Sequence, residues 1–241
     1  MQNDTLQQIC TKLLDIKKVS VQDLNKVISH TMASVLQPVY DSTDHSSWSS
    51  PVTGHLGSLL EHLVAQPEYK LLSVRGIPLI ADKSMQFSSY QWRGLLKHLT
   101  QMLIADAPME EGIDWNIDTR CAPEKINRSL ATVLILRGHD LQQIDTSSFQ
   151  QSHLYTSWMP PDATFKQWAH PRPFCNYDRS AVLLSNSKST VNPMVNLMAK
   201  AWSMFASRAY VHQYMKHGLT EDDFLDSFAG LEQIISNYKK L

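Results

Sequence analysis

His55, Glu61 and His62 are the residues whose types most readily suggest chemistry, because imidazole and carboxylate together bind divalent metals. Their spacing argues otherwise. A metallohydrolase helix places two histidines four apart with a glutamate beside the first, whereas His55 and His62 are seven apart. They can share a helix face, but no third ligand accompanies them, so exposed helix positions are the expectation. Ser29-His30 and Ser152-His153 are neighbours only along the chain, and no nucleophile-elbow pattern goes with either pair. Asp106, Glu110, Glu111, Asp114 and Asp118 lack the spacing of a calcium loop and read as solvated loop charge. The chain has only eight glycines, and Gly54-His55-Leu56-Gly57 is too sparse, with no strand before it, to cradle a phosphate.

The bulk composition narrows the field further. At 241 residues, with 43% hydrophobic and 19% charged, the chain is long enough for a sizeable core and is ordinary for a globular protein. A formal net charge of -1 gives no case for nucleic acid or an anionic membrane as partner. Cys10, Cys121 and Cys175 are far apart and odd in number, which suits a reducing compartment. No apolar run approaches the roughly 20 residues of a membrane span, and the polar start with Asp4 does not read as a signal peptide.

The elements follow from periodicity. Leu6, Ile9, Cys10, Leu13 and Leu14 share one face of a helix over 4–14, with Asn3 or Asp4 available to cap it. Ser20 and Asp23 form a capping box for a second helix whose stripe is Leu24, Val27, Ile28, Val35 and Leu36, and Pro38 stops it. Residues 41–53 read as a loop, 56–64 as a helix, 76–88 as a polar loop and 89–105 as a helix. The continuous apolar run LATVLIL at 130–136 is a buried strand. Shorter strands are expected at 69–74, 154–158 and 180–184, with a helix from about 139 to 150. The class is therefore α/β or mixed α+β: a four-stranded mixed sheet with helices packed on it.

The last fifty residues form an αα-hairpin. Val195, Met198, Ala199, Trp202, Phe205, Ala206 and Ala209 recur at helical steps over 190–217. Phe224, Phe228, Leu231, Ile235 and Tyr238 do the same over 220–241. Gly218 lies where the first helix ends, and Thr220 with Asp223 caps the second. Trp202 and Phe205 sit on the main stripe and are expected in the core. Tyr210, Gln213 and Tyr214 lie off it, beside Glu221 and Asp222, and are expected to form an exposed ridge for a partner.

These segments also resemble a family. FASRAYVHQYMKHGLTEDDFLDSF at 205–228 is similar to the end of a tubulin, where an aromatic helix, a glycine turn and an acidic helix start form the outer surface of the protofilament. Asp23-Leu24-Asn25 resembles the start of the tubulin central helix. Leu63-Val64-Ala65-Gln66-Pro67, ATVLILRG at 131–138, Thr156-Ser157-Trp158-Met159-Pro160 and the strand at 180–186 occur in the family's order. The likeness runs the whole length and is strongest to the delta tubulins, in QMLIADAPMEEGIDW at 101–115 and FLDSFAGLEQIISNYKKL at 224–241.

The resemblance implies a tubulin intermediate domain with a C-terminal helical hairpin. Residues 1–40 would be a remnant of the nucleotide-binding domain with the central helix, 41–188 the intermediate domain, and 189–241 the hairpin. It also implies that the N-terminal GTPase half, with its Gly-rich phosphate loop, lies outside this chain. Asn3 and Asn25 match the asparagines that hold the guanine edge of GTP, and Val21 stands where an aromatic often stacks on the base. GTP would bind the full-length family and not this chain alone. The acid that activates hydrolysis in a neighbouring subunit falls on Ser58, with Glu61 about one turn away, and a hydroxyl cannot replace a carboxylate as general base; no enzyme activity is expected. The central helix has lost a covering domain in this reading, so Leu6, Ile9, Leu13 and part of the second helix should present an apolar patch. The basic end at Lys239-Lys240 lacks the acidic tail of alpha and beta tubulins, which disfavours tail-dependent partners. The implied role is a delta-tubulin-like subunit of centriole or basal-body microtubules, acting with other tubulins and centriolar proteins at the cilium base, cytoskeleton and cytoplasm, with the nucleus as a further location. The competing reading is a short interaction module that binds tubulin partners without entering a lattice.

Overall fold

A computed structural model describes residues 3–41, 55–85, 87–88, 90–117 and 126–241. The centre is β3 (Ser129–Gly138), buried along its whole length. It pairs in parallel with β4 (Phe165–His170) and antiparallel with β5 (Arg179–Ser187). The edge strand β2 (Ser73–Ile77) runs antiparallel to β5, and the two-residue β1 (Tyr40–Asp41) extends the other side against β4. The order β1-β4-β3-β5-β2 is the expected mixed sheet of four full strands, widened by β1.

Alternation along the strands builds a core on each face. Leu134, Leu136, Ala181 and Leu183 point toward α5 (Trp92–Ile104), where Leu95, Leu96, Leu99, Met102 and Leu103 are buried. Ala131, Val133, Ile135, Trp168, Val182 and Leu184 point the other way, onto Val35 of α2 (Val21–Leu36) and Leu59 and Leu63 of α3 (His55–Leu63). A smaller cluster joins Leu6 of α1 (Asn3–Gln8) and Ile9 and Cys10 of the π-helical turn Ile9–Leu13 to Val27 and Met109.

Several expected elements are placed differently. Residues 154–158 form no full strand. Leu154 closes a 3-10 turn, Tyr155 makes one isolated bridge to Ser129, and the strand is β4, eleven residues further along. The sequence FKQWAH hides it, because polar Lys166, Gln167 and His170 interrupt the apolar pattern. The expected helix at 139–150 is two 3-10 turns, Leu141–Gln143 and Ser147–Phe149. Asp140 is left-handed (φ 58°), and the Asp145 carboxylate accepts the Ser147 N–H at 2.9 Å, a turn that competes with the helix. The strand expected at 69–74 begins only at Ser73, and residues 76–88 contain its end and the one-turn α4 (Asp82–Met85).

The C-terminal helices are α6 (Val191–Ala206), α7 (Val211–Met215) and α8 (Glu221–Lys239). They do not lie across α2 as expected. Val191, Ile235 and Tyr238 form their buried cluster with Tyr69 and Leu71 of the approach to β2, with no α2 residue in it. The expected continuous helix over 190–217 breaks after Ala206, where Arg208 (φ 57°) and Tyr210 (φ 61°) are left-handed.

Candidate functional site

The surface of α2 is the first candidate. The Ser20–Asp23 capping box forms as the sequence predicts: the Ser20 N–H donates to Asp23 Oδ2 at 3.0 Å, and the Asp23 N–H to Ser20 Oγ at 3.3 Å. The Ser20 hydroxyl, donating to Asp23 Oδ2 at 2.6 Å, and then the Ser20 N–H hold the Asp23 carboxyl below the usual carboxylate range. Val27, Ser34 and Val35 face inward. Val21 (72% exposed), Ile28, Met32 (57%) and Leu36 face outward, and Asn25 is exposed among them, one turn beyond Val21. A stripe of large apolar side chains on solvent is the mark of a surface that something covers.

The expected patch is therefore only partly in place. Leu6 and Ile9 are buried rather than displayed, because α1 packs them against Val27, and Leu13 is half-buried. The exposed apolar surface is the neighbouring flank of α2, carrying Val21, Ile28, Met32 and Leu36. Asn3 is exposed at the start of α1, within the helix, and makes no capping bond among the described residues. Among the described residues the side-chain amides of Asn3 and Asn25 have no hydrogen-bond partner, and each offers donor and acceptor. Ser58 is half-buried on α3, and Glu61 is exposed three residues on.

Two buried arginines without a motif of their own hold the frame: Arg137 at the end of α2 and Arg75 at the edge of the sheet. Arg137, at the end of β3, donates to the carbonyls of Gln37 at 2.7 Å and Pro38 at 3.0 Å, closing the C-terminus of α2 where carbonyls lack partners. Burial pulls its pKa down to about 10. Arg75 on β2 is buried and fully engaged, with Asp106 at 2.7 Å and the hydroxyls of Ser73, Ser185 and Ser189 around it. Their one sequence signal is an arginine within or ending a strand, a place where an unpartnered cation would be costly.

The histidines do structural work. His55 Nε2–H donates to the Val35 carbonyl at 2.7 Å with its ring on Trp168, and His62 Nε2–H to the Thr132 carbonyl at 3.1 Å. The expectation of exposure fails for both: His55 is half-buried and His62 buried, since α3 turns that face toward the sheet. His30 packs against Phe174 and Tyr177. The acidic run is largely exposed, as expected, and part of it is ion-paired: Asp106 meets Arg75, Glu110 meets His98 at 2.7 Å, and Glu111 meets Lys12 at 3.3 Å. Asp118 and Cys121 lie outside the described residues.

The C-terminal ridge is the second candidate. Tyr210, Gln213, Tyr214 and Asp222 are exposed, while Glu221 is half-buried and faces Arg208 at 3.5 Å. The Tyr214 ring meets Phe224 edge-on at 5.6 Å. Trp202 and Phe205, expected in the core, join Phe224 and Phe228 in an aromatic cluster on the hairpin itself. Trp202 stays 50% exposed and Phe205 half-buried, because this end of the hairpin packs on its own helices and not on the sheet.

No protein-family model matches the chain. Individual relatives do. The tubulin delta chains of Macaca fascicularis and Homo sapiens are each 44% identical over 252 residues, covering all of this chain and 55% of their own length. The chain belongs to the tubulin superfamily. It spans about half the length of the curated relatives it matches, an extent consistent with the C-terminal half of a delta tubulin. The tubulin beta-2 chain of Geotrichum candidum is 26% identical over 246 residues, also across the whole chain. Against that tubulin background, the mixed sheet with its C-terminal helices is the family fold that the residue resemblance implied.

Proposed function

We propose that this chain is the C-terminal part of a delta-tubulin-type cytoskeletal protein that serves centriole or basal-body microtubules and, through them, the cilium. The observation that carries this reading is the gap between 44% identity to tubulin delta chains and 26% to a beta chain over the same span. Its role is structural: it contributes contact surfaces to other tubulins and centriolar proteins, and performs no hydrolysis of its own. Asn3 and Asn25 mark where the guanine edge of GTP would be held in a full-length protein. Two amide contacts at about 1 kcal/mol each do not offset the roughly 4 kcal/mol or more needed to immobilise a ligand. Ser58, in place of an acid, supports the non-enzymatic reading. The ridge of Tyr210, Gln213, Tyr214, Glu221 and Asp222 supplies the partner surface, since exposed amphipathic rings beside charge favour interfaces.

The test is localisation of the tagged chain in ciliated cells, together with a Glu221→Lys/Asp222→Lys variant. Centriolar enrichment of the wild-type chain that the variant loses is expected. Diffuse wild-type signal would overturn the assignment, and undiminished enrichment of the variant would remove the ridge from it.

A further inference from the structure

The link between the π-helical turn Ile9–Leu13 and α2 is anchored on one side and bare on the other. Ile16 and Val19 are half-buried and pack on the cluster of Leu6, Ile9 and Val27. Lys17, Lys18 and Ser20 are exposed. The two anchors fix the backbone and leave both lysines and the serine on the solvent side. Neither lysine has a hydrogen-bond or ion-pair partner among the described residues. Ser20 is extended (φ -102°, ψ 165°), and Val21, the first residue of α2, is 72% exposed.

Ser20 is also singular in the sequence. No other serine or threonine has lysine or arginine at both the second and the third position before it. Charge pattern around the acceptor is one way protein kinases choose substrates. A kinase whose groove carries carboxylates before the acceptor position asks for cations there, an exposed hydroxyl, and an extended backbone that brings the hydroxyl to its catalytic base. Lys17, Lys18 and Ser20 supply these, and Val21 follows as an accessible apolar contact. Two acids are close in the chain. Asp15 is exposed and pairs with neither lysine. Asp23 is turned back onto Ser20, accepting its N–H at 3.0 Å and its hydroxyl at 2.6 Å, so it serves the helix cap and is not presented outward.

We propose that Ser20 is a phosphorylation site for a serine/threonine kinase that reads basic residues before the acceptor. In the step, Ser20 Oγ bonds to the γ-phosphorus of ATP, the bond from that phosphorus to the β–γ bridging oxygen breaks, and ADP leaves. The hydroxyl proton passes to the kinase's own catalytic carboxylate. Before that the hydroxyl turns away from Asp23, which breaks one hydrogen bond on the surface. The product stands at the N-cap of α2. A phosphate oxygen there can accept the Asp23 N–H, now 3.3 Å from Ser20 Oγ, and the positive end of the helix favours the dianion. The Asp23 carboxylate loses its hydroxyl donor and is repelled by the new charge. Phosphorylation thus exchanges one capping partner for another and puts a dianion next to Val21, at the foot of the exposed apolar stripe of α2. Nothing in this assignment depends on the centriolar role.

The experiment incubates the full chain with MgATP and the catalytic subunit of cyclic-AMP-dependent protein kinase, and locates the phosphate by mass spectrometry. Stoichiometric incorporation at Ser20 is expected. Lys17→Ala with Lys18→Ala should slow it by about tenfold or more, as loss of two charge contacts with an enzyme groove does. Circular dichroism and the unfolding midpoint of that variant should be unchanged, because both side chains are exposed and unpartnered among the described residues. Ser20→Asn keeps a good N-cap residue and should take up no phosphate, whereas Ser20→Thr keeps both cap and hydroxyl and should still be modified. The proposal is overturned if the folded chain takes up no phosphate, if the phosphate falls on another residue, or if removing the lysine pair leaves the rate unchanged. It is equally overturned if a kinase that reads acids after the acceptor modifies Ser20 as fast, since Asp23 and not the lysines would then be the group recognised.

Discussion

The Tyr238 hydroxyl donates to Asn186 Oδ1 at 2.6 Å and accepts the Leu71 N–H at 2.8 Å, joining the last helix to the end of β5 and the approach to β2. Asn186 completes the clasp by donating through Nδ2 to the Leu63 and Tyr69 carbonyls, each at 2.7 Å. Tyr238→Phe keeps the ring and removes the hydroxyl, leaving two buried polar groups unpaired. The expected cost is about 1–3 kcal/mol in denaturant unfolding. In hydrogen exchange the amides of α8 should lose protection before those of β3. The clasp is also alkali-sensitive. Burial pushes the Tyr238 pKa from 10 up to about 12, so its stabilisation is complete below pH 10 and lost as the pH rises through about 12. Tyr238→Phe should flatten that part of the pH–stability curve.

Gly138 ends β3 at φ +133°, and a Cβ there would stand 2.2 Å from the Asp178 carbonyl oxygen and 2.9 Å from Arg179 Cα. Both obstacles are backbone, so no side chain can move aside. Gly138→Ala should cost on the order of 3 kcal/mol or more, read as a lower midpoint in thermal or chemical unfolding. Gly57, where a Cβ would meet nothing within 4 Å, is the control: Gly57→Ala on α3 should be neutral or mildly stabilising.

What the sequence makes legible follows from how local each signal is. The capping boxes at Ser20–Asp23 and Thr220–Asp223, the buried run of β3 and the left-handed Gly218 are written within a few residues, and all are present. β4 is not legible because its partners decide it: Phe165 and Ala169 face one core and Trp168 the other, while Lys166 and Gln167 mask the period. Trp202 misleads because periodicity identifies an apolar stripe but not whether another layer lies beneath it. Asn3 and Asn25 enter through family resemblance alone, and their bare amides give no local signal beyond a helix cap.

Burial should make the chain acid-sensitive through His62. Loss of solvent contact depresses its pKa below 6.5, and nearby Lys166 depresses it further. For a group depressed in the folded state, the stability is present above pH 6.5 and is lost as the pH falls through the folded value. His30, lowered by burial between Phe174 and Tyr177, adds to the same slope. Urea midpoints should therefore fall between pH 7 and about 5, and His62→Gln should reduce the slope. An unchanged slope would mean that other groups control the acid limb.

Arg137 should be intolerant of lysine. Its fork reaches the Gln37 and Pro38 carbonyls at once, a geometry that one ammonium cannot reproduce. Arg137→Lys should lose about 1–3 kcal/mol, and Arg137→Met should lose more helix protection at the end of α2 than in α5. Equal loss in both helices would point to a general effect on the core instead of a cap on α2.

The exposed stripe of α2 should govern how the chain behaves in solution. Val21, Ile28, Met32 and Leu36 face solvent along one flank of the helix, next to the buried residues that hold the helix to the body, Val27 and Val35. Burying an apolar side chain of this size is worth about 1.5–3 kcal/mol, so unsatisfied stripes drive association at the concentrations used for purification. Light scattering on the purified chain should show concentration-dependent self-association. Ile28→Gln with Met32→Gln should shift it toward monomer without lowering the unfolding midpoint, because neither side chain contributes to the core clusters around Val27 and Val35. A wild-type chain that stays monodisperse and monomeric over a wide concentration range would show that the stripe is too broken, by the exposed Asn25 amide within it, to act as a binding face.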